Sequence, residues 1–301
     1  MLRIKNYIQH ALLFSSLLIV FSCKFNQTTS AYAATTEPKT ILEKEEDSIY
    51  TVKSDSSILK IDSMQTIVQK DTIESIQPPI DSTKHYVYLT FDDGPYKGSK
   101  NINKILTEEN VKGTVFLVGF NAFTKNLKQN VEDYKSNSNV EIANHTFSHA
   151  NNKYKAFYSS AENVLEDLRK NEKEIDINTR WVRLPARNTW RLGNRKKNDP
   201  IKNAIPAADL IAQNNYYIYG WDFEWNRNKH GLTSPENIYE GIVHRLDKNK
   251  TFEKNHLVIL MHDDMFNDTI EAEKLRKLIT LLKSNKKIVI EGISNYPVKI
   301  S

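Results

Sequence analysis

The chain has 301 residues, of which 39% are hydrophobic and 26% are charged, and its formal net charge is +5. This length and composition suit one large globular domain with additional segments. The modest positive charge is spread along the chain and forms no concentrated basic patch, so nucleic acid is not an expected partner. A single cysteine excludes an internal disulfide framework.

The N-terminal segment predicts export. A basic start precedes an apolar run at residues 11–22, which is too short for a comfortable membrane span and is typical of a secretory signal. Residues 20–23 resemble a bacterial lipobox, so we predict a signal peptide over residues 1–22 and a lipidated Cys23. The alternative is an ordinary signal peptide cut after an Ala-Tyr-Ala site that ends at residue 33. Either route exports the protein, and lipidation would anchor it to a membrane of the cell envelope.

Residues 23–84 are predicted to be a lipidated N-terminus and a disordered tether. Segment 24–84 is rich in Ser, Thr, Asp, Glu, Lys and Gln, shows no sustained hydrophobic period and closes at Pro78-Pro79. Such a composition does not bury enough apolar surface to fold. A tether of this kind would hold a folded domain away from the membrane.

From residue 85 short apolar runs alternate with helical patterns, which predicts one folded domain over residues 85–301. The apolar runs are 86–91, 113–118, 140–144, 181–185, 216–222, 257–262 and 287–290. The helices predicted between them are 99–110, 122–136, 160–175, 202–214, 234–249 and 269–284. This alternation predicts an α/β fold in which helices surround a parallel sheet. Seven strands with no reversal favour a distorted, incompletely closed (β/α) barrel.

Chemically capable side chains follow five of these strands. In parallel barrels the reacting groups lie where the strands end. The residues at such positions here are Asp92, Asp93, His145, Arg183, Asp222, Glu224 and His262. Their convergence on one face of the sheet is a stronger indication of a site than any single motif.

Asp92 and Asp93 directly follow the first strand and precede a Gly-Pro turn. Neighbouring side chains of a strand point to opposite faces, but the chain turns at the strand end, so both carboxylates can reach one site. One carboxylate would then bind a metal while the other performs acid–base work. The alternative is a plain Asp-Gly turn after an edge strand.

His145 and His149 are spaced at i and i+4. On a helical turn both imidazoles would lie on one face and could share a metal with one of the aspartates. Three protein ligands leave a position for water or substrate, which is typical of a catalytic metal site. The alternative is that His145 caps or packs while His149 is solvated.

His262 ends the most apolar strand and is a candidate general acid. Asp263 or Asp264, which follow it, would orient its ring. The alternative for His262 is a buried histidine that hydrogen-bonds to the backbone.

Arg183 ends another strand, where it would pair with the base carboxylate and orient it; the alternative is a surface arginine. Asp222 and Glu224 offer carboxylates that would hold Arg183 in turn. Trp190 and Trp225 are candidates to stack on a sugar face, with plain core packing as the alternative.

These motifs resemble those of the polysaccharide deacetylase family, the NodB-homology carbohydrate esterases of family 4. The resemblance covers about residues 86–295. Segments 90–94, 145–149 and 183–185 match three of the family's ordered motifs, and 259–262 is similar to the fifth. The resemblance implies a distorted (β/α) barrel and a divalent metal, usually zinc.

The resemblance also implies roles for individual residues. The implied base is Asp92, and the implied metal ligands are Asp93, His145 and His149. Arg183 would orient the base, and His262 would be the catalytic acid. Met261 would form part of the pocket for the acetyl methyl group.

The chain departs from the family at two motifs. Ala186 stands where the family usually has an aromatic residue whose backbone N–H stabilises the oxyanion; the N–H remains, but that groove wall is lost, and Trp190 would replace it. In the fourth motif Trp221 stands where an Asp is usual, so Asp222 would compensate. Glu224 and Trp225 fit the end of that motif.

The sequence therefore predicts an exported, metal-dependent hydrolase that removes N-acetyl groups from a polysaccharide, and a monomer is expected. Peptidoglycan or another N-acetylglucosamine polymer is the substrate that a location in the cell envelope favours. One alternative is an O-acetyl esterase that acts on xylan-like chains. Another is a catalytically impaired glycan-binding lipoprotein of the same fold, which the altered third and fourth motifs favour. A phosphohydrolase is disfavoured because no Gly-rich phosphate loop is present.

Overall fold

The computed structural model describes residues 81–228 and 231–298. The predicted signal peptide, Cys23 and almost all of the tether lie outside the described residues, so these remain predictions. Within the described ranges, no helix combines the length and the apolar character needed to cross a membrane.

The described residues form twelve strands and seven α-helices. The strands are β1 (His85–Asp92), β2 (Gly113–Leu117), β3 (Val140–Asn144), β4 (Trp181–Val182), β5 (Trp190–Leu192), β6 (Arg195–Lys197), β7 (Tyr217–Ile218), β8 (Phe223–Glu224), β9 (Arg227–Asn228), β10 (Gly231–Leu232), β11 (His256–His262) and β12 (Ile288–Glu291). The helices are α1 (Ser99–Glu108), α2 (Lys125–Ser136), α3 (Tyr154–Phe157), α4 (Ala161–Glu174), α5 (Ile205–Gln213), α6 (Pro235–Asp247) and α7 (Thr269–Ser284).

Ten strands form one sheet in the order β6-β5-β7-β4-β3-β2-β1-β11-β8, with β12 also paired to β1. All seven predicted strands are present, and every pair formed among them is parallel. The two edge strands, β6 and β8, do not pair with each other in the described part of the chain. This confirms an α/β fold with a parallel-rich, incompletely closed barrel.

Two strands that the sequence did not predict lie at one edge of the sheet and reverse direction. β5 and β6 form an antiparallel hairpin in which Leu192 pairs with Arg195, so the loop is the two residues Gly193 and Asn194. Gly193 has a φ of 59°, the left-handed value that a tight hairpin turn needs at its first central position. A Gly-Asn pair between two short runs of strand residues is a hairpin signal that is present in the sequence.

The central strand β1 sends alternate side chains to two different cores. Val87, Leu89 and Phe91 pack with residues of the surrounding helices α1, α6 and α7. Tyr88 points the other way and packs inside the curled sheet with Trp190 and Tyr296. Because side chains alternate along a strand, Asp92 lies on the same inner face as Tyr88, at the carboxyl end of the sheet.

Candidate active site

A cavity of about 300 Å³ opens at the carboxyl ends of the parallel strands. Its lining residues are Asp92, Asp93, His145, His149, Tyr154, Ala186, Trp221, Glu224, Leu260 and His262. The fold thus brings together predicted residues from five separate strand ends.

Both carboxylates of the Asp-Asp pair reach this cavity. Asp92 is the last residue of β1 and is almost fully buried. Asp93 has a φ of 70°, a left-handed conformation that is unusual outside glycine and that turns the chain sharply after the strand. Asn121 donates its side-chain N–H to the Asp93 carbonyl at 2.7 Å. This turn directs the second carboxylate into the same cavity as the first.

The two histidines approach Asp93 from one loop. The Nε2 atoms of His145 and His149 lie 3.4 and 3.1 Å from Asp93 Oδ1. The helical turn expected between them is wrong, because residues 145–148 are irregular and Thr146 and His149 have φ values of 66° and 47°. The loop therefore brings the imidazoles together through left-handed residues rather than through the i, i+4 face of a helix.

These three side chains fit a divalent metal. One ligand atom from each lies within 4.8 Å of the others. Asp93 Oδ1 is buried and has no hydrogen-bond partner among the described residues. The Nδ1–H of His145 donates to the Arg183 carbonyl at 2.8 Å, which orients the ring so that Nε2 faces Asp93. Two imidazole nitrogens and one carboxylate oxygen are a donor set that suits zinc and other first-row divalent metals.

Electrostatics favour the metal-ligating forms of His149 and Asp93. Burial alone would lower the pKa of His145, but the carboxylates of Asp92 and Asp93 outweigh it and raise that pKa, which favours the protonated imidazole. Burial lowers the pKa of His149 to about 4, with a further contribution from His145, so this imidazole is neutral at pH 7. Burial alone would raise the pKa of Asp93, but the neighbouring His145 and His149 outweigh it and lower that pKa to about 2. Asp93 is therefore a carboxylate throughout the physiological range.

Arg183 forms a buried ion pair with Asp92 and orients its carboxylate. Its guanidinium is completely buried, and its Nη1 donates to Asp92 Oδ1 at 2.7 Å and to Thr90 Oγ1 at 2.9 Å. Nε and Nη2 donate to the carbonyls of Tyr219 and Gly220 at 3.1 and 2.9 Å. The planar guanidinium thereby fixes Oδ1 of Asp92, whereas Oδ2 of Asp92 lies 3.6 Å from His145 Nε2.

The expectation that Asp222 and Glu224 hold Arg183 is wrong. Neither is among its hydrogen-bond partners, because main-chain carbonyls take those places. Asp222 instead accepts the backbone N–H groups of Phe252 and Val258, at 2.7 and 2.9 Å. Burial raises its pKa to about 6. Glu224 lines the active-site cavity.

Ala186 lies at a tight turn beside the cavity. The N–H of Arg187 donates to the Leu184 carbonyl at 3.2 Å, so Pro185 and Ala186 are the two central residues of a β-turn. Ala186 has a φ of 55°, as the second central residue of a type II turn requires. Its N–H makes no backbone hydrogen bond among the described residues, so it remains available to a bound ligand.

Three predicted groove residues belong to the core instead. Trp190 is fully buried and stacks on Phe252 with ring centroids 4.4 Å apart. Trp225 is also buried, and its indole N–H donates to the Thr233 carbonyl at 2.9 Å. Neither ring can stack on a sugar, and Trp190 does not replace the missing groove wall.

Met261 is the third of these residues. It packs in the main core because side chains alternate along β11, so Leu260 and His262 share the cavity face while Met261 points away. Leu260, and not Met261, therefore lines the cavity beside His262.

His262 lines the cavity, but Asp263 does not orient its ring. The carboxylate of Asp263 is buried between α1 and α2, where it accepts the hydroxyls of Ser99 and of Tyr134, the latter at 3.3 Å. Burial raises the pKa of Asp263 to about 7. Asp264 is exposed.

The raised pKa of Asp263 predicts a pH-dependent stability. The unfolded chain releases this proton near its ordinary pKa of 3.8, whereas the folded protein keeps it until about pH 7. Stability should therefore fall as the pH rises from 5 to 8, by about 2–3 kcal/mol from this group. Asp263→Asn should flatten that part of the profile in urea unfolding. The exposed neighbour provides the control Asp264→Asn, and equal pH profiles in all three proteins would contradict the prediction.

Three further residues of the site were not among the predicted ones. Thr90 accepts a hydrogen bond from the same Arg183 nitrogen as Asp92. It could have been predicted, because it lies two residues before Asp92 on the same face of β1. Trp221 lines the cavity at a strand end, and in the sequence it stands out only as a departure from the fourth motif. Tyr154, whose ring packs edge-on against His149, begins the short helix α3, which no sequence pattern marks.

The chain is similar in sequence to known proteins. Residues 80–205 match the sequence model of the family described as polysaccharide deacetylase. The chitin disaccharide deacetylase of Vibrio alginolyticus is 25% identical over 217 residues, which are 52% of this chain and 51% of that protein. The chain thus spans about half the length of this curated relative.

Two solved structures share the fold. The catalytic domain of a peptidoglycan N-acetylglucosamine deacetylase from Eubacterium rectale aligns with a TM-score of 0.55 and 18% identity, over 74% of this chain and 94% of that one. A CE4 esterase from Streptococcus mutans aligns with a TM-score of 0.51 and 19% identity, over 69% and 86% of the two chains. Residues 80–205 are therefore similar in sequence to the polysaccharide deacetylase family, and the described residues share the fold of these two structures.

Proposed function

We propose that this domain is a metal-dependent hydrolase that removes acetyl groups from N-acetylated sugars of a polysaccharide, with peptidoglycan or another N-acetylglucosamine polymer as its substrate. One observation carries the proposal. A metal-ligand cluster of Asp93, His145 and His149 lies directly beside a buried carboxylate, Asp92, that Arg183 holds in place. The Vibrio relative is a chitin disaccharide deacetylase, which supports an N-acetylated substrate.

The metal that Asp93, His145 and His149 would hold is proposed to be zinc, because zinc commonly takes nitrogen and carboxylate ligands and keeps an open position in catalytic sites. When bound, such an ion supplies Lewis acidity, which polarises an acyl carbonyl and eases the deprotonation of water.

Three residues of the chain would carry out the proton transfers and stabilise the oxyanion. Asp92, oriented by Arg183, accepts the proton of the attacking water. Ala186 lines the cavity, and its N–H would serve as a donor for the oxyanion that develops on the carbonyl. His262 lines the same cavity and donates a proton to the amine nitrogen as the acetyl C–N bond breaks. Acetate and a free amino sugar are the products.

Acetate release from a small panel of glycans tests this function. The purified, zinc-loaded protein should release acetate from N-acetylglucosamine oligomers and from peptidoglycan much faster than from acetylated xylan. Faster release from acetylated xylan would instead indicate an O-acetyl esterase. Tight glycan binding with no acetate from any probe would indicate a glycan-binding protein and would refute the proposal.

We also propose that the protein is an exported lipoprotein of the cell envelope, anchored through Cys23. The lipobox-like residues 20–23 after a short apolar run support this proposal. Cys23→Ser should move the protein from the membrane fraction to the exported soluble fraction of expressing bacteria. An unchanged distribution would favour the ordinary cleavage site instead.

A further inference from the structure

A second cavity, of about 530 Å³, adjoins the active-site cavity across Trp221. Its lining residues are Asn188, Lys197, Trp221, Asp222, Arg245, Lys250, Thr251 and Phe252. Trp221 lines both cavities. The backbone of Trp221 is fixed on both sides by Asn188, whose side chain donates to the Trp221 carbonyl at 2.8 Å and accepts its N–H at 3.1 Å. A glycan that leaves the active site over Trp221 therefore reaches this second cavity.

Three cations from separate elements converge on this cavity. Lys197 ends β6, Arg245 lies in the last turn of α6, and Lys250 follows that helix. The guanidinium of Arg245 lies over the Phe223 ring at 4.8 Å, which holds it in place. The fold thus gathers positive charge that is scattered along the sequence.

These cations form no close ion pair with a described carboxylate, and Lys197 and Arg245 interact with Asp222 only at longer range. Among residues 81–228 and 231–298, none of the three forms an ion pair. Asp222 is the single carboxylate in the lining, and its two oxygens already accept the N–H groups of Phe252 and Val258. The cavity therefore has a net positive charge and open donors, which together attract an anionic ligand.

We propose that this cationic cavity holds a carboxylate carried by the substrate polymer, on a sugar next to the one that is deacetylated. The inference rests on the proposed deacetylase function and adds the charge of the preferred substrate. Peptidoglycan strands meet the requirement, because every second sugar bears a lactyl ether that ends in a carboxylate when the peptide is removed. Polymers of N-acetylglucosamine alone are neutral and offer nothing to the three cations.

Three probes test the proposal. The first is peptidoglycan strands freed of peptide, with free lactyl carboxylates. The second is the same strands with those carboxylates converted to neutral methyl amides. The third is N-acetylglucosamine oligomers of equal length. For the unmodified protein, we expect kcat/KM for acetate release, and equilibrium binding, to be about tenfold higher with the charged strands than with their amidated form.

A matched pair of variants assigns the preference to the cavity. Lys197→Gln combined with Lys250→Gln should reduce the ratio between charged and amidated strands to near one. Lys196→Gln combined with Lys248→Gln removes the same charge from exposed neighbours that do not line the cavity, and it should leave the ratio unchanged. Raising the salt concentration should also shrink the preference, because the contact is electrostatic.

The outcomes separate the two proposals. Equal rates and equal binding for charged and amidated strands would overturn the anion site while leaving the deacetylase function intact. An equal drop of the ratio in both double variants would also overturn it, because the effect would then come from overall charge. If no probe releases acetate, the deacetylase function fails, and the binding comparison alone decides whether the cavity recognises carboxylates.

Discussion

Replacing Asp92 by Asn should reduce the rate of acetate release by about 10²–10⁴-fold while leaving the metal bound. Asn keeps an oxygen that can accept from Arg183, whose Nη1 lies 2.7 Å from Asp92 Oδ1, so the fold should survive. The amide does not accept a proton at neutral pH, and loss of a general base typically has an effect of this size. The measurement pairs acetate kinetics with metal content determined by elemental analysis.

The matched change is Asp93→Asn, one residue away. Because Asp93 Oδ1 is the carboxylate atom that faces both imidazoles, this variant should lose both metal and activity. The assignment of roles would be contradicted if Asp92→Asn also lost its metal, or if it retained full activity. Thermal melting of both variants checks that the fold is intact.

Replacing Arg183 by Met should destabilise the domain by about 3–5 kcal/mol. The substitution leaves the buried carboxylate of Asp92 without its partner, and breaking a buried pair from one side has this magnitude. It also removes donors from the carbonyls of Tyr219 and Gly220. The free energy of unfolding, measured in urea, gives the effect directly.

A second arginine provides the control. Arg276 pairs with three carboxylates, those of Glu108, Glu109 and Glu273, but does so near the surface. Ion pairs of this kind contribute about 0–1 kcal/mol each, so Arg276→Met should cost much less than Arg183→Met. Similar costs for the two variants would show that Arg183 is not the structural support that its burial indicates.

The strand ends could be predicted because two simple rules act there. Hydrophobic runs marked the parallel strands, and the side chains that reach one end of a parallel sheet come together in space. The same alternation rule, applied to β11, would have placed Leu260 with His262 and excluded Met261. The error at Met261 was thus one of application, and the sequence contained the information.

Other features depend on tertiary packing that no local pattern shows. Trp190 and Trp225 are large aromatic residues near the site, and only the fold shows that both are buried. The convergence of Lys197, Arg245 and Lys250 joins elements that are about fifty residues apart in sequence. Long-range placement of this kind is set by helix and hairpin packing, which hydrophobic periodicity alone does not specify.

The proposal on which the others depend is that a metal held by Asp93, His145 and His149 is required for deacetylation. Its most direct test is acetate release from an N-acetylglucosamine oligomer by the zinc-loaded protein, before chelation, after chelation and after zinc is returned. We expect release, loss and recovery in that order. Release that persists in the metal-free protein, or its absence in the zinc-loaded protein, would contradict the claim.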